Sequence, residues 1–364
     1  MIRHFYYIVI LTMMINIMVN VPAVLIQKRF DGTIMSMILS VFIGGLLVII
    51  FTFAMGKYPQ KGLPEIFLLE RVPAFIRNPY LAFLALMWIA AGSFALISYS
   101  YVIKLYISPD MSLGVILAFL LIIVIFGALK KTDSILFLVE IVVLPAAPLV
   151  AFILFKAFSS KYFYWEHIFR MLHNIWQFPS YSSIAAATYV FIGYINLVIM
   201  NRFINSKKVL KFIWILPIIG FLVIICTFFI PIAFLGVDGV NDVVFPWIFI
   251  SDSLRMEFGF IERVLYLILC LYLLLILVFG IITWHVGLKL LEGIIEGKNM
   301  KRNGRKKIYK YVFLISIGLC TIILQSLTNQ REFFYIVKTW LNIRFPAEIM
   351  LVALVFFLSR RRKT

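Results

Sequence analysis

Charge is scarce in this chain and mostly of one sign. Charged residues are 14% of the 364, with 34 Lys and Arg against 16 Asp and Glu. A water-soluble surface needs more polar coverage than that, so a soluble fold is excluded. The net charge of +18 would suit nucleic acid if the basic residues gathered on one surface. Here they sit between apolar spans, which is a membrane pattern, and no nucleic-acid partner is expected. Cysteines number three. Cys226, Cys270 and Cys320 each lie inside an apolar run without a CxxC neighbour, which argues against a disulfide framework and a zinc site. The histidines His4, His167, His173 and His285 lack ligand spacing. HExxH, GxSxG, a Gly-rich phosphate loop and paired intramembrane carboxylates are all missing, so neither an enzyme nor a cofactor is expected.

Long apolar runs are what the chain has in abundance: 63% of residues are hydrophobic and the mean hydropathy is +1.05. A bilayer core about 30 Å thick takes about 20 helical residues, because backbone polar groups must be paired internally in lipid. Ten candidate spans follow. They are Tyr6–Ile26, Ile34–Met55, Pro79–Ile103, Leu113–Leu129, Ile135–Phe155, Ser182–Met200, Phe212–Leu235, Phe260–Val286, Tyr311–Leu327 and Trp340–Leu358. In the last of these, Pro346 is a possible helix start, which would put Glu348 in a first turn where the dipole favours an anion. The expected fold is an all-α integral membrane protein of about ten transmembrane helices forming one domain over residues 1–364.

With the N-terminus inside, the cytoplasmic connections collect most of the Lys and Arg. These include Lys57, Lys61, Lys130, Lys131, Lys207, Lys208, the run from Lys298 through Lys310, and the tail Arg360 to Lys363. The positive-inside rule therefore places both termini in the cytoplasm of a multi-pass bacterial membrane protein. The first span, with Arg3 before it and no small-x-small cleavage site, reads as an uncleaved helix rather than a signal peptide. Leu63–Ile76 alternates apolar and charged residues as an interfacial helix would. The basic run near Lys301 either anchors topology or meets anionic membrane lipid.

Polar residues inside the spans must find partners away from lipid. The first span carries Asn16 and Asn20 before Pro22, which removes a helical hydrogen bond and admits either a kink or a break. The sixth has Thr188 to Asn196 with Gly193 at its centre, where the backbone can unwind or be closely approached. Interrupted helices at corresponding places in two halves mark transporter substrate sites. Helices one and six are five apart, and two five-helix halves, about 5–158 and 181–359, would necessarily be inverted. The candidate binding residues are Asn16, Asn20, Gly193, Tyr194 and Asn196, with Ser98 and Tyr272 as walls. Glu140, two turns into the fifth span, is a candidate proton- or cation-coupling acid or else a solvated or Lys-paired one. Tyr101 and Tyr266, near span ends, read as interface anchors, as do His167 and His173 beside Trp165 and Trp176.

Three stretches carry a family resemblance. Phe245–Leu275, FPWIFISDSLRMEFGFIERVLYLILCLYLLL, has an aromatic-Pro pair followed by Phe-Ile-Glu-Arg at the eighth helix. Tyr58–Phe67, YPQKGLPEIF, follows span two, and Phe191-Ile192-Gly193 lies in the sixth span. The chain resembles the spore germination permeases, the B subunits of germinant receptors in the amino acid-polyamine-organocation superfamily. It departs from their pattern in the first helix, where MINIMVNVP (Met14–Pro22) replaces a glycine-bearing segment. In the sixth, Asn196 or Tyr194 stands near a usual Glu. The resemblance implies a leucine-transporter-type 5+5 inverted repeat with helices 1 and 6 interrupted. It also implies a place in the spore inner membrane, beside an A subunit and a lipoprotein C subunit, and the sensing of a small nutrient such as an amino acid. A secondary amino-acid carrier coupled to protons or sodium is the alternative, and a ligand-free scaffold is a third reading.

Overall fold

The computed structural model describes residues 2–18, 20–204, 206–255, 263–296 and 303–361. Phe260, Ile261 and Glu262 of the eighth-helix motif, Lys298, Lys301, Arg302 and the end of the basic tail lie outside the described residues.

In chain order the helices are α1 (Ile2–Ile15), α2 (Asn20–Gln27), α3 (Thr33–Gly56), α4 (Leu63–Leu69), α5 (Ala74–Tyr106), α6 (Leu113–Ala128), α7 (Thr132–Phe158) and α8 (Trp165–Leu172). Then come α9 (Tyr181–Thr188), a 3-10 segment (Tyr189–Asn196), α10 (Leu197–Met200), α11 (Ser206–Val209) and α12 (Ile215–Leu235). The chain continues through α13 (Pro246–Ser253), α14 (Val264–Glu296), α15 (Asn303–Leu327) and α16 (Gln330–Arg361). Every expected span is predominantly helical where it is described. Among the described residues eight helices are long and apolar enough to cross a membrane, or nine if α1 and α2, bent by 48°, form one broken span. The remaining expected span, α6, is apolar but only 16 residues long. At 1.5 Å per residue it reaches about 24 Å, short of a full hydrocarbon core.

Contacts between chain ends sort the bundle into two ends. The Tyr6 hydroxyl donates to the Val209 carbonyl at 2.7 Å, Asn201 donates to Tyr58 at 2.8 Å and Lys61 at 2.9 Å, and Lys57 reaches the Ser359 carbonyl at 3.2 Å. Both termini therefore share one end with the α3–α4 connection. At the opposite end, Trp176 and Phe178 are almost fully exposed beside the amphipathic α8, placed as headgroup-level aromatics.

α1 breaks because its last hydrogen bonds tighten. The Ile17 and Met18 amides turn to Met14 and Ile15, three residues back, instead of four. Pro22 then falls in the first turn of α2, where no intrahelical amide is required. The sixth span differs from the expected interruption. α9, the 3-10 segment and α10 run on as one 20-residue span. Gly193 serves close approach rather than unwinding: a Cβ there would lie 2.6 Å from Val9 Cα and 3.0 Å from the Ile8 carbonyl oxygen of α1. Phe191 locks the same segment from the other side, since a Cβ on Gly44 of α3 or Gly220 of α12 would overlap its ring.

Two further expectations are corrected. Leu63–Ile76 is not one interfacial helix: α4 ends at Leu69, Pro73 begins the turn into α5, and Phe75 and Ile76 are exposed on that next helix. α4 itself packs Leu63, Pro64, Ile66 and Phe67 into the bundle. The last span starts at Gln330, not at Pro346, so Glu348 lies in mid-helix and gains nothing from a helix terminus.

Candidate functional site

Near the middle of the long helices α5, α14 and α16 lies a small cavity, with ≈ 40 Å³ open to the centres of water molecules. That is room for a few waters. Leu84, Met87, Trp88 and Ala91 of α5 line it with Phe279 and Thr283 of α14. Thr12 of α1 and Tyr189, Ile192, Ile195 and Asn196 of the 3-10 segment complete that side. α16 supplies Trp340, Arg344, Ala347, Glu348 and Leu351, the repeat of three and four residues that keeps one helix face together.

Most of this wall is apolar, so its polar groups stand out. Arg344 and Glu348, each 3% exposed, form an ion pair one turn apart on α16. The Tyr194 hydroxyl donates to Glu348 Oε1 at 2.7 Å. Arg344 Nη2 donates to the Ala185 carbonyl and to Thr188 Oγ1, the latter at 3.0 Å, and its guanidinium lies 5.2 Å from the Tyr189 ring centre. The helix geometry of the sixth span makes the first contact possible. The Tyr189 amide turns to Ala186, its 3-10 partner, and the Ala185 carbonyl accepts instead from the Thr188 hydroxyl at 3.1 Å and from the arginine. The sixth span (Tyr181–Met200, helix 6 below, distinct from α6) and α16 are thus tied together by one charge-neutral cluster.

The sequence-derived residues divide into groups. Asn196 lines the cavity, accepting from Trp88 Nε1 at 2.9 Å and donating to the Gly193 carbonyl at 2.9 Å. Tyr194 reaches it through Glu348. Asn16 donates to the Thr12 carbonyl at 2.9 Å and the Tyr189 carbonyl at 3.4 Å, bracing the α1 break against helix 6. Asn20 accepts from Ser98 at 3.0 Å and lies on a separate, open vestibule of ≈ 1270 Å³ at the end away from the termini. Tyr272 donates to the Met14 carbonyl at 2.8 Å, satisfying an acceptor of the broken helix. Glu140 lies elsewhere, with Arg3 at 3.0 Å and His4 at 3.1 Å, so it pins the start of α1 to α7. Tyr101 is buried, with its ring 5.8 Å from that of Phe333, whereas Tyr266 is exposed.

Ring contacts run from vestibule to cavity. Phe334 on the vestibule wall touches Phe333, which meets Phe94 at 6.0 Å, and Phe94 meets cavity-lining Trp340 at 5.6 Å. At the other end the YPQKGLPEIF stretch seals the bundle. Glu65 accepts Arg202 through both oxygens, at 2.6 and 3.2 Å, and Asn201 caps the turn before it. Hydropathy passed over Arg344, Trp340 and Trp88. A charged residue four positions before Glu348 inside an apolar span was the available signal, since intramembrane arginines are costly and need a partner.

A multi-pass helical membrane protein with a broken first helix and a buried polar cluster at mid-bundle belongs to the transporter-like class. The profile of the spore permease family, described as spore germination protein, matches residues 3–334. The chain belongs to that family. No curated protein matches the sequence.

Proposed function

We propose that this chain is the B subunit of a spore germinant receptor, a transporter-like sensor whose central cavity binds a small nutrient, an amino acid. Its partners are an A subunit and a lipoprotein C subunit, its place is the spore inner membrane, and its termini face the cytoplasm. The carrying observation is the buried Arg344–Glu348 pair on the cavity wall. A buried ion pair adds little stability over well-packed apolar residues, so its presence at mid-membrane favours a binding role. The reading includes a 5+5 inverted repeat over about 5–158 and 181–359, with α1–α2 and the sixth span as corresponding helices, of which α1–α2 is bent and the sixth span runs on unbroken.

The second reading, a proton- or sodium-coupled amino-acid carrier, is favoured by the open vestibule leading toward the broken helix. On that reading Glu140 is the coupling acid. Spores lacking the chain and proteoliposomes containing it separate the two. Loss of germination toward particular nutrients without uptake by the vesicles supports the sensor. Concentrative uptake that disappears in Glu140→Gln supports the carrier, and unchanged germination in deletion spores would refute the sensor.

A further inference from the structure

Two buried donors on the cavity wall have no hydrogen-bond partner among the described residues: Arg344 Nε and Trp340 Nε1. They belong to residues one turn apart on α16, and both residues line the same cavity. Leaving such groups unpaired in an apolar site costs free energy, more for a charged group than for a neutral one. Two neighbouring unpaired N–H groups, one on a guanidinium, are complementary to a carboxylate, which can accept one on each oxygen.

Net charge narrows the ligand further. The guanidinium is always protonated, and Glu348 balances it. A simple carboxylate would leave one uncompensated negative charge in an apolar wall, which is strongly disfavoured. A zwitterion keeps the sum at zero. Its ammonium has an acceptor in Glu348, because a carboxylate has about four lone-pair sites and only Tyr194 and Arg344 occupy this one.

We propose that Arg344 and Trp340 form the carboxylate-recognition group of this cavity, with Glu348 receiving the ammonium of a small zwitterion. At the α1 break the amides of Asn16, Ile17 and Met18 are already spent on the Thr12, Met14 and Ile15 carbonyls, so they do not compete for the carboxylate. Arg344 also holds the Ala185 carbonyl and Thr188 of the sixth span. A carboxylate drawn to the same guanidinium therefore acts directly on the tie between α16 and helix 6.

This inference rests on the nutrient-binding reading, and the experiment separates the two. The purified full chain in lipid nanodiscs is titrated with each of the twenty common L-amino acids, followed by calorimetry. Each amino acid that binds is then compared with its carboxamide analogue on wild type, Arg344→Gln, Arg344→Lys and Trp340→Phe. Arg344→Gln is expected to weaken binding by about tenfold to a hundredfold, and Trp340→Phe by about two- to tenfold. Arg344→Lys should recover part of the loss. The losses from Arg344→Gln and from the carboxamide should not add, because both remove one interaction. The joint replacement of Arg344 by Met and Glu348 by Leu removes the pair without leaving a lone buried charge, and it should fold but not bind. Equal affinity of wild type and Arg344→Gln, or fully additive losses, would overturn the assignment while leaving the nutrient-binding reading intact. If none of the twenty binds wild type, the amino-acid reading itself fails.

Discussion

Replacing Gly193 by Ala tests how the sixth span meets the first. The added Cβ would stand 2.6 Å from Val9 Cα, 2.9 Å from Thr12 Oγ1 and 3.0 Å from the Ile8 carbonyl oxygen. Two of these three atoms are backbone, so no rotamer change clears them. Thr12 is also committed, since its hydroxyl donates to the Ile8 carbonyl at 2.9 Å. Carbon atoms pack best at about 3.5 to 4.0 Å, so α1 must retreat by about 1 Å. Overpacking of this kind costs about 1 to 3 kcal/mol. Helix propensity favours Ala over Gly by about 1 kcal/mol, which offsets part of the cost without reversing it. The expected net effect is a destabilisation of up to about 2 kcal/mol. Thermal unfolding of the purified protein in nanodiscs measures it, with Gly114→Ala as the internal control. At Gly114 the nearest atom to a new Cβ is Gln325 Oε1 at 3.9 Å, so propensity should act alone and leave the protein unchanged or slightly more stable. If Gly193→Ala melts at or above wild type, the two helices are not in close contact and the reasoning fails.

Two other perturbations probe the end of the bundle that carries the termini. Asn201→Ala removes the amide that caps the Tyr58 and Lys61 carbonyls, at 2.8 and 2.9 Å, and should cost about 1 to 3 kcal/mol. The same melting assay checks this, and an unchanged midpoint would show that the cap contributes nothing. Glu65→Gln replaces the carboxylate that takes both Arg202 contacts, but the pair is partly solvated, with Glu65 41% and Arg202 24% exposed at the side chain. Screening limits its worth to about 1 kcal/mol or less. Global melting should therefore hardly move, while hydrogen exchange over residues 58–70 should rise a few-fold. Exchange equal to wild type would mean that the ion pair does not hold α4 in place.

Hydropathy and composition were sufficient for the helical character of every expected span, because an apolar run in lipid has no other way to pair its own amides and carbonyls. The break near Asn16 and Pro22 was legible for the same local reason: proline lacks an amide and asparagine competes for backbone partners. Span position also marked Gly193, Tyr194 and Asn196 as unusual. What it did not reveal was the meaning of that glycine, since unwinding and close approach demand the same residue, and only the position of Val9 across the interface distinguishes them. Glu140 and Glu348 were both visible as intramembrane acids, yet their surroundings differ completely. One meets Arg3 and His4 from α1, and the other meets Arg344 on its own helix and Tyr194 from the sixth span. The sequence by itself determined which segments enter the membrane, a property of each stretch alone. Which polar groups converge on one cavity was decided only by tertiary structure, because the rotation of each helix about its axis is set by packing against its neighbours.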